Sequence, residues 1–352
     1  MNRNMINIFD RLSKQEVEDV LEKISNVKIA ILGDICLDVH WRADMTLSEI
    51  SRETPHFSLP IIEEWMTPGG GGNTAANIAA LQPEKVYVIG TIGDDWRGEV
   101  LLKELEKCSI DTRGVIRSKT RVTNAYCKPL RVGISDVEYE DPRLDFENRA
   151  EISKEDEQNM LNQLDAISKD IDVLCVSDQL KYGCVSSAIR EKIIELSKSG
   201  LTVVVDSRDR IGLYHDVILK PNEVEGYRAL GNEGNPKGTS VEEFAGYALA
   251  LSKKNNSDVC MTIGNKGSIC IVDGMATHVK PNLVEPPIDI CGAGDTFLAS
   301  FSCAVGAGLT KVHAAALSSI STAISIKKIN ITGTADRQEI SSFYEDEHCK
   351  DV

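Results

Sequence analysis

Short β-rich runs that are apolar on both alternating faces recur along this chain of 352 residues, and helical patterns separate them. The runs are Val27–Leu32, Val86–Gly90, Val173–Ser177, Thr202–Asp206, Val217–Leu219 and Val259–Ile263. A strand without a polar face must be covered on both sides. The segments Trp96–Lys107, Lys154–Ser168, Ser186–Lys198 and Val241–Lys253 carry helical spacing and can supply that cover. The alternation predicts an α/β fold built on a mostly parallel central sheet with helices on both faces. Ser13 and Glu16 form an S-x-x-E capping box ahead of Val17, Val20, Leu21 and Ile24, so another helix precedes the first strand. From Ala293 the pattern is helical to about Lys328, and an acidic helical tail follows.

One large α/β domain with a small appendage can absorb this length, and no repeat or linker divides residues 1–352. Two segments, residues 39–66 and 115–147, break the rhythm. The second carries strand-like stretches at Val115–Arg117 and Asn124–Val132. The two excursions either pair as a small β sheet over a ligand site or run as plain surface loops.

The formal charge of −15 does not suit a duplex-binding surface, which needs clustered Lys and Arg. It leaves room for an anionic small molecule in a local basic pocket. The ten cysteines are scattered, with no CxxC pair and no zinc spacing, and several lie inside apolar runs. Buried reduced thiols are the expectation. The N-terminal stretch has no apolar core of signal-peptide length and no segment approaches a membrane span, so a cytoplasmic protein is expected.

The strongest local signal is Asp289-Ile-Cys-Gly-Ala-Gly-Asp295-Thr-Phe. Gly292, Ala293 and Gly294 open a helix, where free N–H groups and the helix dipole can hold an anion. Asp295 would then stand beside a bound phosphate and could accept a proton from an attacking hydroxyl. Alternatively this is a glycine turn whose Asp merely favours a helix N-terminus. No G-x-x-x-x-G-K-S/T loop occurs, and the glycines do not make a dinucleotide fingerprint.

Upstream, Pro68-Gly-Gly-Gly-Gly-Asn73 runs into a small-residue helix, with Asn73 suited to sugar hydroxyls. Gly33-Asp34-Ile-Cys-Leu-Asp38 follows the first strand, where open α/β sheets bind ligands. Asp38 is the better substrate ligand of that pair, and Asp34 could be a loop or capping residue. Lys220-Pro-Asn222-Glu223-Val-Glu225 can orient Mg²⁺ through its water shell, or Asn222 can simply cap a helix. Thr262-Ile-Gly264-Asn-Lys266-Gly267 turns on two glycines and admits either ATP phosphates or an ordinary β-turn.

In this order the motifs, with Ile92-Gly-Asp-Asp95-Trp-Arg-Gly98, resemble the ribokinase (pfkB) family of carbohydrate kinases over roughly residues 27–335. The resemblance implies Asp295 as catalytic base and Gly292, Ala293 and Gly294 as anion hole. It implies Asn222, Thr262, Gly264 and Gly267 at the nucleotide, Glu225 acting on Mg²⁺ through water, and Asp38, Gly70 and Asn73 at the sugar. Asp289 and nearby carbonyls would hold a monovalent cation such as K⁺, and the irregular segments would form a β lid that serves a homodimer.

Within the family, Gly33–Trp41, Pro68-Gly-Gly, Arg143-Leu-Asp-Phe-Glu147 and Ser177-Asp-Gln-Leu-Lys-Tyr-Gly183 are most similar to bacterial D-glycero-β-D-manno-heptose 7-phosphate kinases. That likeness implies ATP-dependent phosphorylation of the anomeric hydroxyl of a sugar phosphate, with Arg143 and Lys181 meeting the far phosphate. Arg208 is a third cation of this kind, though a surface salt bridge suits it better. Asp206-Ser-Arg-Asp departs from the Asp-Pro-Lys type of segment of those kinases. No His-x-Gly-His motif follows residue 335, so a separate nucleotidyltransferase partner would complete the sugar nucleotide. The other readings are a kinase for another sugar or nucleoside, and a non-catalytic sugar or nucleotide sensor, which would have no need of Asp295.

Overall fold

The computed structural model describes residues 6–135, 137–236, 240–329 and 331–348. Cys349 lies outside them. The first helix, α1 (Lys14–Ile24), starts at a full capping box: the Glu16 carboxylate accepts the Ser13 N–H at 2.7 Å, and the Ser13 hydroxyl accepts the Glu16 N–H. Val17, Val20, Leu21 and Ile24 form its buried stripe.

The strands of the N-terminal half are β1 (Asn7–Phe9), β2 (Lys28–Gly33), β3 (Ile35–Asp44), β4 (Ile61–Gly70), β5 (Lys85–Gly93), β6 (Asp111–Ser118), β7 (Ala125–Val132), β8 (Tyr139–Glu140) and β9 (Leu144–Phe146). Then come β10 (Val173–Asp178), β11 (Thr202–Ser207), β12 (Ile218–Leu219), β13 (Asp258–Thr262), β14 (Ser268–Val272) and β15 (Met275–Val279). The larger sheet has the order β1-β15-β14-β13-β12-β11-β10-β2-β5-β6, parallel from β13 through β6.

Helices α2 (Gly71–Ala80), α3 (Trp96–Lys107), α4 (Lys154–Ile167), α5 (Ser187–Lys198), α6 (Glu223–Ala229), α7 (Val241–Asn255), α8 (Ala293–Gly306), α9 (Lys311–Ser325) and α10 (Arg337–His348) complete the chain. Ile29 and Ile31 of β2 pack into one core with Ile78, Leu101, Phe297 and Leu317. Ala30 and Leu32 pack into the other with Met160, Ile189 and Leu251. Successive residues of one strand therefore feed opposite faces, which is why these strands lack polar alternation. Among the described residues, no helix is long and apolar enough to cross a membrane.

The smaller sheet has the order β4-β3-β7-β8, with β9 also on β7. It draws on both irregular segments, but Val115–Arg117 belongs to β6 at the edge of the larger sheet. In β3, Leu37, Val39 and Ala43 are buried toward the body, so Asp38 points to the other face. The return to β7 is fixed by Asp95, which caps α3 by accepting the Gly98 N–H and also accepts the Thr123 N–H at 2.9 Å. This gives the Asp95-Trp-Arg-Gly98 motif a structural role.

Asp34 occupies the single residue between β2 and β3, where the chain passes from one sheet to the other. Its buried carboxylate accepts the N–H groups of Gln179 (2.9 Å), Leu180 (2.7 Å) and Cys184 (2.7 Å), and its carbonyl accepts the Gly71 N–H at the start of α2 (2.8 Å). Gly183 lies so close that a Cβ there would sit 2.3 Å from the Asp34 carboxylate. Asp34→Ala would strand three backbone donors, and we expect a loss of roughly 3–5 kcal/mol in urea unfolding. A loss below about 1 kcal/mol would show that water replaces the carboxylate.

Candidate active site

Helix α8 starts on Gly292, whose φ of +77° favours glycine. The Ile290 carbonyl takes the Ala293 N–H at 3.2 Å. The N–H groups of Gly294 and Asp295 lie in the first turn, out of reach of the helix's own carbonyls. A Cβ built on Gly294 would meet nothing within 4 Å, so the space before this helix start is open. A phosphate oxygen can approach the backbone there.

Asp295 is held from α2. The Asn73 amide donates to its Oδ2 at 2.8 Å, and the Thr74 hydroxyl donates to its Oδ1 at 3.2 Å. The carboxylate is enclosed by protein atoms while the residue keeps some solvent contact. Burial is the main reason its pKa is raised to about 6, and Asp206 adds to the rise. The hydrogen bonds from Asn73 and Thr74 and the charge of Lys220 work against it. The result is a carboxylate that is ionised at neutral pH yet close to its pKa.

The carboxyl ends of β11 and β12 bring Asp206 and Lys220 into a buried ion pair of 2.6 Å. Burial disfavours the Lys220 ammonium, and Asp206 and Glu225 more than offset this, leaving its pKa raised. Glu225 is pushed up to about 7 by burial and Asp206, against Lys220. Asn222 caps α6, accepting the N–H groups of Val224 and Glu225, while the Glu225 carboxylate accepts the Asn222 N–H. Thr262 ends β13 beside Asn222. Gly264 has φ +58° and open space around it, whereas a Cβ on Gly267 would stand 2.2 Å from the Val279 carbonyl. Packing against β15 therefore accounts for Gly267.

Across the cleft, Asp38 pairs with Lys128 of β7 at 2.9 Å. Gly69 is needed there because a Cβ would lie 2.5 Å from the Asp38 carboxylate, and Gly70, at φ +54°, would collide with the Asp34 carbonyl. The Cys291 thiol is raised by burial and responds to Lys128, Asp289, Asp38 and Asp295, so these groups lie within electrostatic reach of it. Asp289 shapes the turn into α8 by accepting the Cys291 N–H at 2.9 Å.

Arg143 grips Asp145 through two hydrogen bonds and stacks on Tyr126, 4.3 Å from the ring centroid. Arg208, read from sequence mainly as a surface residue, lies near enough to Tyr126 and Glu225 to favour their ionised forms. Lys181 is exposed, its ammonium 5.3 Å from the Tyr182 ring. The structure thus brings Asn73 against both Asp295 and Gly292, places Asp38 within electrostatic reach of the turn into α8, and leaves Lys181 outside their hydrogen-bond network.

Sequence reasoning missed Lys128, Thr74, Asn77 and Thr296, and quoted Lys220 without a role. Lys128 had a faint signal, a lysine in an otherwise apolar part of a strand. A groove of about 680 Å³ lies at the opposite, amino-end edge of the sheet, lined by residues such as Lys198, Asp216, Lys253 and Asp258, and holds none of the groups described above.

Residues 45–337 match the family of pfkB carbohydrate kinases. The bifunctional protein HldE of Citrifermentans bemidjiense is 30% identical over 336 residues, covering 94% of this chain and 66% of its own length. The chain thus spans about two-thirds of that relative. Phosphofructokinase-2 from Escherichia coli, solved with substrates and products, superposes with a TM-score of 0.69 at 19% identity, over 91% of this chain and 99% of its own. Arabidopsis thaliana ribokinase complexed with ribose and ATP gives 0.67 at 18%, over 90% and 98%. These structures share the ribokinase-like fold.

The two glycines of the helix start should respond differently. Gly294→Val projects into open space, so we expect its melting temperature within about 2 °C of the parent but phosphoryl transfer sharply reduced. Gly292→Ala meets Thr332 at 2.7 Å in a left-handed conformation and should lose about 2 kcal/mol of stability. Normal turnover by Gly294→Val would remove the helix start from the reaction.

Proposed function

The chain belongs to the pfkB family of carbohydrate kinases, and from that basis we propose that it uses ATP to phosphorylate the anomeric hydroxyl of D-glycero-β-D-manno-heptose 7-phosphate. The observation that carries this reading is the Asp295 carboxylate, held by Asn73 and Thr74 at the open start of α8. Asp295 takes the hydroxyl proton as the sugar oxygen bonds to the γ-phosphorus and the bond to the bridging oxygen breaks, releasing ADP. In the Gly292-Ala293-Gly294 helix start, the N–H groups of Gly294 and Asp295, which the helix's own carbonyls do not reach, hold the charge that develops on the phosphoryl oxygens. Little covalent work falls to the protein, and positioning with charge stabilisation carries the catalysis.

Asp38, Gly70 and Asn73 are proposed at the sugar. One amide proton of Asn73 serves Asp295 and the second is free by valence to meet a hydroxyl. Thr262, Gly264, Gly267 and Asn222 border the proposed nucleotide site. Asp206 and Glu225 share one lysine, and this excess of carboxylate suits a divalent cation reached through water, with Glu225 as the nearer group. Mg²⁺ bound there would neutralise phosphate charge. Asp289, with oxygen donors of its turn, is the proposed seat of K⁺. The smaller sheet is proposed as a lid on a single kinase domain. Ile61 and Ile62, exposed on its edge strand β4, would face a second copy in a homodimer.

The choice of a heptose phosphate rests on the Arg143-Leu-Asp-Phe-Glu147 and Ser177–Gly183 resemblance and on the cations near Tyr126. Arg143 stacks on that ring and Arg208 lies within electrostatic reach of it; both would grip the far phosphate, with Lys181 an outer contact. A different sugar or sugar phosphate would keep the same base and anion hole.

Asp295→Asn is expected to abolish nearly all turnover while leaving ATP and sugar binding largely intact by calorimetry. In the parent enzyme kcat/KM should fall as pH drops through about 6, because Asp295 then gains a proton. Since the folded state raises this pKa, the carboxylate costs stability above pH 6, and Asp295→Asn should melt higher than the parent. Turnover by Asp295→Asn comparable with the parent would remove Asp295 as base.

Arg143→Ala should raise the KM for the sugar phosphate about 10- to 100-fold and leave that for ATP nearly unchanged. Lys181→Ala should raise it less, about threefold or under, as an exposed charge. A parent enzyme that prefers the unphosphorylated sugar would refute the heptose phosphate assignment.

A further inference from the structure

Linked to Asp295 through Asn73 lie two buried polar side chains that the proposed reaction does not use directly. Thr296 follows Asp295 on α8, and Asn77 lies one turn beyond Asn73 on α2; each is about 2% exposed. The Thr296 hydroxyl donates to Asn77 Oδ1 at 2.9 Å. The Asn77 amide donates to Asn73 Oδ1 at 3.1 Å and to the Asn73 carbonyl at 3.0 Å. The Asn73 amide in turn donates to Asp295 Oδ2 at 2.8 Å.

We propose that Asn77 and Thr296 are positioning residues that lock the Asn73 amide, and through it the Asp295 carboxylate, in a single orientation. The inference rests on the reading of Asp295 as base. Only one direction of this chain satisfies every group. The Asn73 carbonyl is a fixed acceptor, so Asn77 must turn its NH₂ toward it and its oxygen toward Thr296. Asn73 must then accept through Oδ1, which leaves its NH₂ for Asp295. Reversing either amide would set oxygen against oxygen in a buried site, where unmade bonds are expensive.

Residues of α2 and α8 thus hold the base as one unit with the helix that carries the anion hole. The charged groups facing Asp295 are Asp206 from β11 and Lys220 from β12, and from α2 Asn73 and Thr74 donate hydrogen bonds. The thiols of Cys36, Cys175 and Cys291 also lie within electrostatic reach. Loss of the Asn73 bond leaves burial and Asp206 opposed only by Lys220 and Thr74, so Asp295 would hold its proton to higher pH.

The test uses Thr296→Val, which keeps the shape and removes the hydroxyl, and Thr296→Ser, which keeps the hydroxyl. With MgATP and D-glycero-β-D-manno-heptose 7-phosphate, Thr296→Val should lower kcat about 10-fold, move the acid limb to higher pH, and leave both KM values within about twofold. Thr296→Ser should restore both. Carbon-13 NMR of the aspartate carboxyls, with Asp295 assigned by its loss in Asp295→Asn, reads the same titration without substrate.

A midpoint unmoved in Thr296→Val overturns the proposal, as does Thr296→Ser behaving like Thr296→Val. Should Thr296→Val fail to fold, Asn77→Ala cuts the same chain on the other helix and should give the same upward shift. Retained turnover in Asp295→Asn would defeat the base assignment instead, and the NMR arm would still decide whether Thr296 governs the carboxylate.

Discussion

The carboxylate of Asp34 is the contact on which the geometry of this protein depends. It sits where the chain leaves the larger sheet for the smaller one, and it gathers three N–H groups from the loop after β10. Its own carbonyl receives the first N–H of α2. The helix bearing Asn73 and Thr74, the strand bearing Asp38, and the loop bearing Lys181 are thereby fixed to one point. Burial favours the protonated form of Asp34, and the three backbone donors oppose that preference. Gly33, Gly70 and Gly183 make room for this crowding, since a Cβ on each would stand within 2.7 Å of a neighbouring oxygen.

Around the cleft the carboxyl ends of parallel strands concentrate charge. Asp206, Glu225 and Asp295 share the buried cation Lys220, while burial and the charge of Asp206 raise the pKa values of Glu225 and Asp295. Such an arrangement is costly for a fold at rest and useful for a kinase. Under the proposed function, the excess of carboxylate would draw a hydrated divalent ion, and Asp295, poised near neutrality, would both take and release a proton. Asp178 is the contrasting case: it is fully buried and accepts from Ser207, Tyr214 and Arg210.

Several residues changed meaning once placed. Asn73, read from sequence as a sugar ligand, also points its amide at Asp295, because Asn77 occupies its oxygen. Arg208, read as a surface residue, is exposed as expected and also lies within electrostatic reach of Tyr126, on which Arg143 stacks. Gly267, read as a nucleotide contact, is also held to glycine by its close approach to Val279. Each change has the same origin: a side chain's partners lie on other elements, and neighbours in sequence carry no record of them.

Strand and helix alternation, the caps at Ser13 and Asn222, and the glycine start of α8 were legible in the sequence. They are local properties, set by side-chain period, by hydrogen bonds spanning three residues, and by the φ that glycine permits. The pairing of the two irregular segments was left open there, since register depends on a partner strand. Tertiary structure alone decided which carboxylates share one enclosed cleft, which amide turns toward which oxygen, and how far each pKa moves. Those outcomes rest on contacts such as Asn73 with Asp295, 222 positions apart in the chain, and burial makes them strong only after the chain has folded around them.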